Sequence, residues 1–207
     1  MDGYSYDVVQ IGDQCWFAEN LRTTVYANGD VIPAGLTDGE WTSTNTGATA
    51  VYGEDGSFCD NFSPAFSSCD ETQSLQEHGR LYNWYAVNDA RDLCPSGWHV
   101  PTDGDWTDLE DHITAQGFSG SEGTALKSTY GWDDGGNGTD DFGFSALPAG
   151  RRGYDSGNFN TAGRAARFWG SSSAGENRSW KRKLDHDLSG MDRTDGPMRG
   201  GLSVRCL

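Results

Sequence analysis

Four histidines (His78, His99, His112 and His186) and five cysteines (Cys15, Cys59, Cys69, Cys94 and Cys206) are the groups of this 207-residue chain best able to serve as bases, nucleophiles or metal ligands. Their spacing argues against most of that chemistry. A hydroxyl or thiol nucleophile needs an aligned base and a third group to orient the base, and no motif sets out such a triad. There is no Cys-x-x-Cys and no Cys/His spacing suited to zinc. His99, directly after Trp98, reads as a hydrogen-bonded structural residue, whereas His186 lies in a charged stretch and is the better contact candidate. Glycoside hydrolysis requires two carboxylates at a controlled separation, and 31 acidic residues single out no pair. The expectation is a protein without catalysis.

Two segments carry recognition chemistry instead. Asp133, Asp134, Asn137, Asp140 and Asp141, with Thr139, set hard oxygen donors on a Gly-rich loop, the ligand type that Ca²⁺ takes. The spacing is not that of an EF-hand, and no Glu-Pro-Asn, Gln-Pro-Asp or Trp-Asn-Asp triplet is present for sugar coordination. The loop is therefore read first as a solvated acidic turn, with calcium as the competing reading; a bound ion would pin the loop rather than coordinate a sugar. The second segment holds Arg164, Arg167, Trp169, Arg178, Trp180, Lys181, Arg182, Lys183, His186, Asp187, Met191 and Arg193. Aromatic surface, forked donors and acceptors of this kind are enriched at interface hot spots. Residues 151–200 are thus expected to form a ligand-binding surface for an extracellular protein or glycan. Core packing competes for Trp169 and Trp180, and a solvated face for the charges. On this expectation, replacing Arg178, Arg182 and Arg193 together by alanine abolishes binding at an unchanged melting temperature.

The charge distribution narrows the partners. A formal net charge of −16 argues against nucleic acid. Residues 1–150 hold four basic and 25 acidic residues, residues 151–207 eleven basic and six acidic. An acidic body with a basic end also permits head-to-tail self-association, so an assembly or adhesion subunit is the alternative function. No run approaches a membrane span, and the first residues are too polar for a signal peptide. The chain is accordingly expected to be untargeted or already processed. Few lysines, many Trp, Gly and Asn, and an even subset of cysteines suggest an oxidising compartment. Cys59 and Cys69 bracket a short polar loop that a bridge would close, Cys94 and Cys206 are able to tie mid-chain to its end, and Cys15 is left over.

The elements that would position these groups belong to one α+β domain spanning 1–207. Residues 4–27 read as an extended hairpin turning at Gly12-Asp13. Residues 28–76 are a loop-rich insert wrapping the surface. Leu81, Trp84, Tyr85 and Asn88 fall on one face of a helix over 78–90. Thr102 with Asp105 caps a second helix that carries Trp106, Leu109 and Ile113 and stops at Gly117. The last 60 residues read as short twisted strands separated by turns.

Five ordered blocks then carry a family resemblance: Ile11-Gly-Asp-Gln-Cys-Trp-Phe-Ala-Glu-Asn-Leu21, Gly79-Arg-Leu-Tyr-Asn-Trp-Tyr-Ala-Val87, Leu93-Cys-Pro-Ser-Gly-Trp-His-Val-Pro-Thr102, Gly143-Phe-Ser-Ala-Leu-Pro-Ala-Gly150 and Gly201-Leu-Ser-Val-Arg-Cys206. In these the chain resembles the Fibrobacter succinogenes major paralogous domain family, bacterial and largely secreted or surface-attached. That resemblance implies a C-type-lectin-like fold, with two helices, short twisted antiparallel strands and extensive loops, as in formylglycine-generating enzymes and the variable proteins of diversity-generating retroelements. It supports a Cys94–Cys206 bridge and an extracellular or cell-surface location. A formylglycine-generating activity would need a redox-active cysteine pair near the end of the chain, where only Cys206 lies. Residues 181–200 depart from the family's Tyr- and Asn-rich pattern and are rich in residues reachable by adenine replacement, which makes a hypervariable retroelement protein a further expectation.

Overall fold

Apolar residues on either side of Gly12-Asp13 zip into the expected hairpin: β1 (Val8–Ile11) pairs antiparallel with β2 (Gln14–Phe17), Val9 opposite Trp16. The structure, a computed structural model, describes residues 3–207. After the hairpin come α1 (Asp38–Ser43), β3 (Thr49–Ala50), α2 (Glu71–His78), β4 (Leu81–Tyr82), α3 (Trp84–Val87), α4 (Asp103–Ile113) and α5 (Glu122–Leu126). Five strands complete the chain: β5 (Ala149–Arg152), β6 (Phe159–Ala162), β7 (Ala165–Gly175), β8 (Arg178–Asp185) and β9 (Asp192–Pro197). Among the described residues no helix is long and apolar enough to cross a membrane.

The arrangement is α+β, but two expectations about it are corrected. There are five α-helices among the described residues, not two. Among the described residues the strands are divided among four antiparallel sheets, β1-β2, β3-β4, β5-β6 and β7-β8-β9, and do not close into a lectin-type fold. Two of the extra helices arise in or at the end of the segment read as loop, where α1 buries Trp41 behind a capping box of Thr37 and Glu40 and α2 buries Ser74 and His78 behind an Asp70 cap; the third, α5, follows α4. The helix expected over 78–90 is split. Gly79, at φ +70°, ends α2, and Leu81 and Tyr82 are then drawn into pairing with Ala50 and Thr49. The capped helix at 102 forms as anticipated, with Trp106, Leu109 and Ile113 buried along one stripe.

The chain's end is its innermost thread. The Leu202 N–H donates to Tyr82 O, Leu21 N–H to Val204 O and Phe17 N–H to Cys206 O, so the last residues join the hairpin to β4. Fully buried Arg205 donates to the carbonyls of Phe17, Phe144 and Ser145 and to Asn20 Oδ1. Carbonyl dipoles rather than a carboxylate thus solvate this charge, and burial pushes its pKa down to about 9. Trp16, Trp106, Phe144 and Phe168 pack as one aromatic cluster between α4 and β7, while Tyr82, Trp84, Trp169 and Val204 form the centre of another. Disulfides join Cys94 to Cys206 and Cys59 to Cys69, each with Cα atoms 5.9 Å apart, and Cys15 is free and exposed.

Candidate functional site

The three-stranded sheet places most of the late charged residues, and strand alternation sorts them. Trp180, Arg182 and Leu184 share one face of β8, and Ala166 and Phe168 of β7 lie across from Leu184 and Arg182. This face packs on α4. Arg182 is fully buried: its Nη1 donates to Asp103 Oδ1 at 2.8 Å, its Nε to Glu110 Oε2 at 3.2 Å and its Nη2 to Thr107 Oγ1 at 3.2 Å. Arg193, its cross-strand neighbour, bonds the same Asp103 at 2.8 Å and lies 3.5 Å over the half-buried Trp180 ring. Burial works against the Asp103 carboxylate, yet hydrogen bonds from Arg193 and Arg182 hold its pKa below the ordinary value. Arg182 is therefore a brace between sheet and helix rather than a ligand contact. Trp169 and Met191 are also core residues: Trp169 is 1% exposed with its Nε1 donating to Tyr82 O, and Met191 packs in the α4 cluster.

Most of the remaining late charges are neutralised within the chain. Arg164 pairs with Asp133 at 2.8 Å and covers the Phe62 ring, Arg178 pairs with Asp195, and Lys183 with Asp185. His186 is half-buried and its N–H donates to Arg164 O, while Asp187 is exposed. The broad basic end on which the self-association reading rests is thus largely cancelled by the protein's own carboxylates.

The opposite face of β8 differs. Lys181 and Lys183 stand beside Trp169 and Arg167 of β7. Arg167, nearly buried, donates through Nη1 to Thr161 Oγ1 at 2.7 Å, and Arg151 of β5 through Nε to Asn160 Oδ1 at 2.7 Å. Neither has a carboxylate partner, and Lys181 Nζ has no hydrogen bond or ion pair among the described residues. Burial, reinforced by the charges of Arg167, Arg151 and Arg178, pushes Lys181 down to about 8; burial and Arg151 push Arg167 down to about 10. A cleft here is bounded by Arg151, Tyr154, Lys181 and Pro197. It continues past exposed Tyr154 to a second, lined by Tyr85, Asn177, Met198 and Arg199. Arg151, Tyr154 and Tyr85 were not singled out from the sequence. The first two lie inside the 151–200 range, and only the pairing of β5 with β6 reveals their place.

Several side chains of the acidic loop are engaged within the chain. Asp133 is engaged by Arg164 and accepts from the Asp134 N–H; Asn137 Oδ1 accepts from the Trp132 N–H at 3.1 Å. Asp140 accepts from Ser145 N–H and Oγ, and Asp141 from Thr139 Oγ1. Among the described residues no three His, Cys, Asp or Glu side chains gather in a metal-holding group. Glycine lets this loop lie against its neighbours: a Cβ at Gly136 would sit 2.3 Å from His186 O. Of the other histidines, exposed His99 contacts Asp105 at 3.2 Å, and His78 is fully buried with both ring nitrogens unpartnered.

Residues 9–207 match the Fibrobacter succinogenes major domain family. No curated protein and no solved structure matches the chain.

Proposed function

Starting from the fact that the chain belongs to the Fibrobacter succinogenes major domain family, we propose that it is an extracellular, non-catalytic recognition module whose ligand, a protein or a glycan, seats in the clefts around Tyr154. The observation that carries this reading is the different fate of the two β8 faces. One is consumed by α4, whereas the other borders clefts offering an exposed aromatic ring, the Asn177 amide and cations without an internal carboxylate. Flat rings and unsatisfied donors at a concave rim are the features that bind ligands. Two disulfides agree with an oxidising compartment.

Binding is proposed to need no calcium, because Asp133, Asn137 and Asp140 are engaged by the loop's own turns and by Arg164. Hypervariability is not part of the proposal: Arg182, Leu184, Met191 and Gly196 within 181–200 are buried, and random replacement there would damage the core. The test is a screen of the oxidised protein against arrayed glycans and extracellular proteins, with calcium and with chelator. A saturable hit in both conditions, weakened at least tenfold by Tyr154→Ala at unchanged melting temperature, is expected. A hit indifferent to Tyr154→Ala, or the lack of any hit, refutes the placement.

A further inference from the structure

The chain holds 15 Lys and Arg against 31 Asp and Glu, so a cation on it has carboxylates to choose from. Eight cations indeed lie within 4 Å of a carboxylate among the described residues. Of those that do not, Lys127 and Arg205 are solvated by backbone carbonyls. Arg151, Arg167 and Lys181 are the exception that clusters: three neighbours on one surface, bonded to an amide, a hydroxyl and nothing, respectively. The acids nearest to them are committed elsewhere, Asp185 to Lys183, Asp195 to Arg178, and Asp60 to Tyr52 and the Thr161 N–H. Like charges held together in a partly buried cleft raise the folding free energy unless a counter-charge arrives.

We propose that Arg151, Arg167 and Lys181 form a binding site for the carboxylate or sulfate of an acidic saccharide, with exposed Tyr154 as the platform for its ring. The inference deepens the recognition reading and rests on it. The Arg151 fork and the Lys181 ammonium line the cleft with donors suited to a planar or tetrahedral oxyanion, and the nearly buried Arg167 adds its charge beside them. Tyr154, 43% exposed, borders the same cleft as Arg151 and Lys181, and its ring is free to stack on the face of a sugar. Gly196 leaves room for the ammonium, since a Cβ there would lie 2.7 Å from Lys181 Nζ.

Calorimetric titration of the full chain at two salt concentrations tests this with four probes: a hyaluronan tetrasaccharide, which carries carboxylate only, a sulfated heparin tetrasaccharide, neutral chitotetraose, and hexaglutamate. Binding of one or both acidic saccharides, weakening with salt, is expected, with chitotetraose and hexaglutamate at least tenfold weaker. Lys181→Met and Arg151→Gln should each reduce that binding at least tenfold. As a readout on the unmutated protein, acetylation of Lys181 by an N-hydroxysuccinimide ester should slow at least fivefold when the saccharide is bound. Equal binding of hexaglutamate overturns the saccharide class; binding that ignores both variants, or no binding of either acidic saccharide, overturns the site. A neutral ligand lost with Tyr154→Ala but kept with Lys181→Met would leave the recognition module standing and remove this inference alone.

Discussion

Arg182→Ala should unfold the protein more readily than any replacement of the other arginines on β8 and β9. The wild-type guanidinium is fully buried between Asp103, Glu110 and Thr107, and Asp103 and Glu110 retain side-chain exposures of 19% and 25%. Removing one member of a buried ion pair costs about 3–5 kcal/mol, because the partner is left desolvated and unpaired. Partial exposure of both carboxylates, and Arg193 remaining on Asp103, place the expected loss near the bottom of that range, about 3 kcal/mol. For a chain of this size that lowers the melting temperature by roughly 6–12 °C. Arg178→Ala removes an exposed pair with Asp195 and should stay within about 2 °C of wild type. Differential scanning calorimetry of the oxidised single variants reads both. An Arg182→Ala protein melting within about 2 °C of wild type would refute the bracing role. The joint Arg178, Arg182 and Arg193 replacement is correspondingly expected to destabilise, so it does not serve as a binding test.

Three further outcomes are expected. Burial pushes His78 down to about 3, below the ordinary histidine value of 6.5; the unfolded chain therefore binds the extra proton, and His78's contribution is complete above about pH 6.5 and declines as pH falls towards 3, by up to about 1.4 kcal/mol per pH unit. Urea denaturation of wild type and His78→Phe from pH 7 to 4 should show the shallower decline in the variant, and parallel profiles would contradict the assignment. In the chain-entropy account, opening Cys94–Cys206, 112 residues apart, with a double serine variant should cost about 5 kcal/mol against about 3 kcal/mol for Cys59–Cys69; equal losses by denaturant titration would contradict the ranking. Gly201→Ala places a Cβ 2.8 Å from Trp41 Cζ2 and 2.9 Å from Arg152 Cβ, both buried, and overpacking of that kind should cost about 1–3 kcal/mol, checked by thermal melting.

How far the fold could be read from the sequence follows the range over which each signal acts. The Gly12-Asp13 turn and the Thr102 to Asp105 capping box are complete within a few residues, and both elements form where those residues indicate. β4 is different, because Leu81 and Tyr82 carry a helical spacing and become a strand only through Thr49 and Ala50, some 30 residues earlier. Short polar helices such as α2 bury too few apolar side chains to leave a periodic trace. The candidate site shows the same limit. Composition points to the 151–200 segment as a whole, but Arg182 and Lys181 are adjacent in sequence and opposite in fate, one buried against α4 and the other unpaired beside Arg167. The alternation of β8 separates them, and the buried Leu184, two residues beyond Arg182, marks which side is inward.

Most of the negative charge lies in residues 1–150, and part of it is used to pair the basic residues of the last quarter. Asp103, Asp133, Asp185 and Asp195 neutralise five of the late cations, which spends the basic end as structure and leaves no broad positive face. What remains is local: a cluster of three cations that a chain with twice as many acids as bases has left without a carboxylate. A side chain that only filled space there would be cheaper as leucine or methionine, since an unpaired buried charge is a cost and not a packing element. That consideration yields a sign as well as a place. If the cluster is held for a ligand, Lys181→Met should raise the melting temperature of the unliganded protein while lowering its affinity for the acidic saccharide; if it is held for the fold, both quantities should fall together.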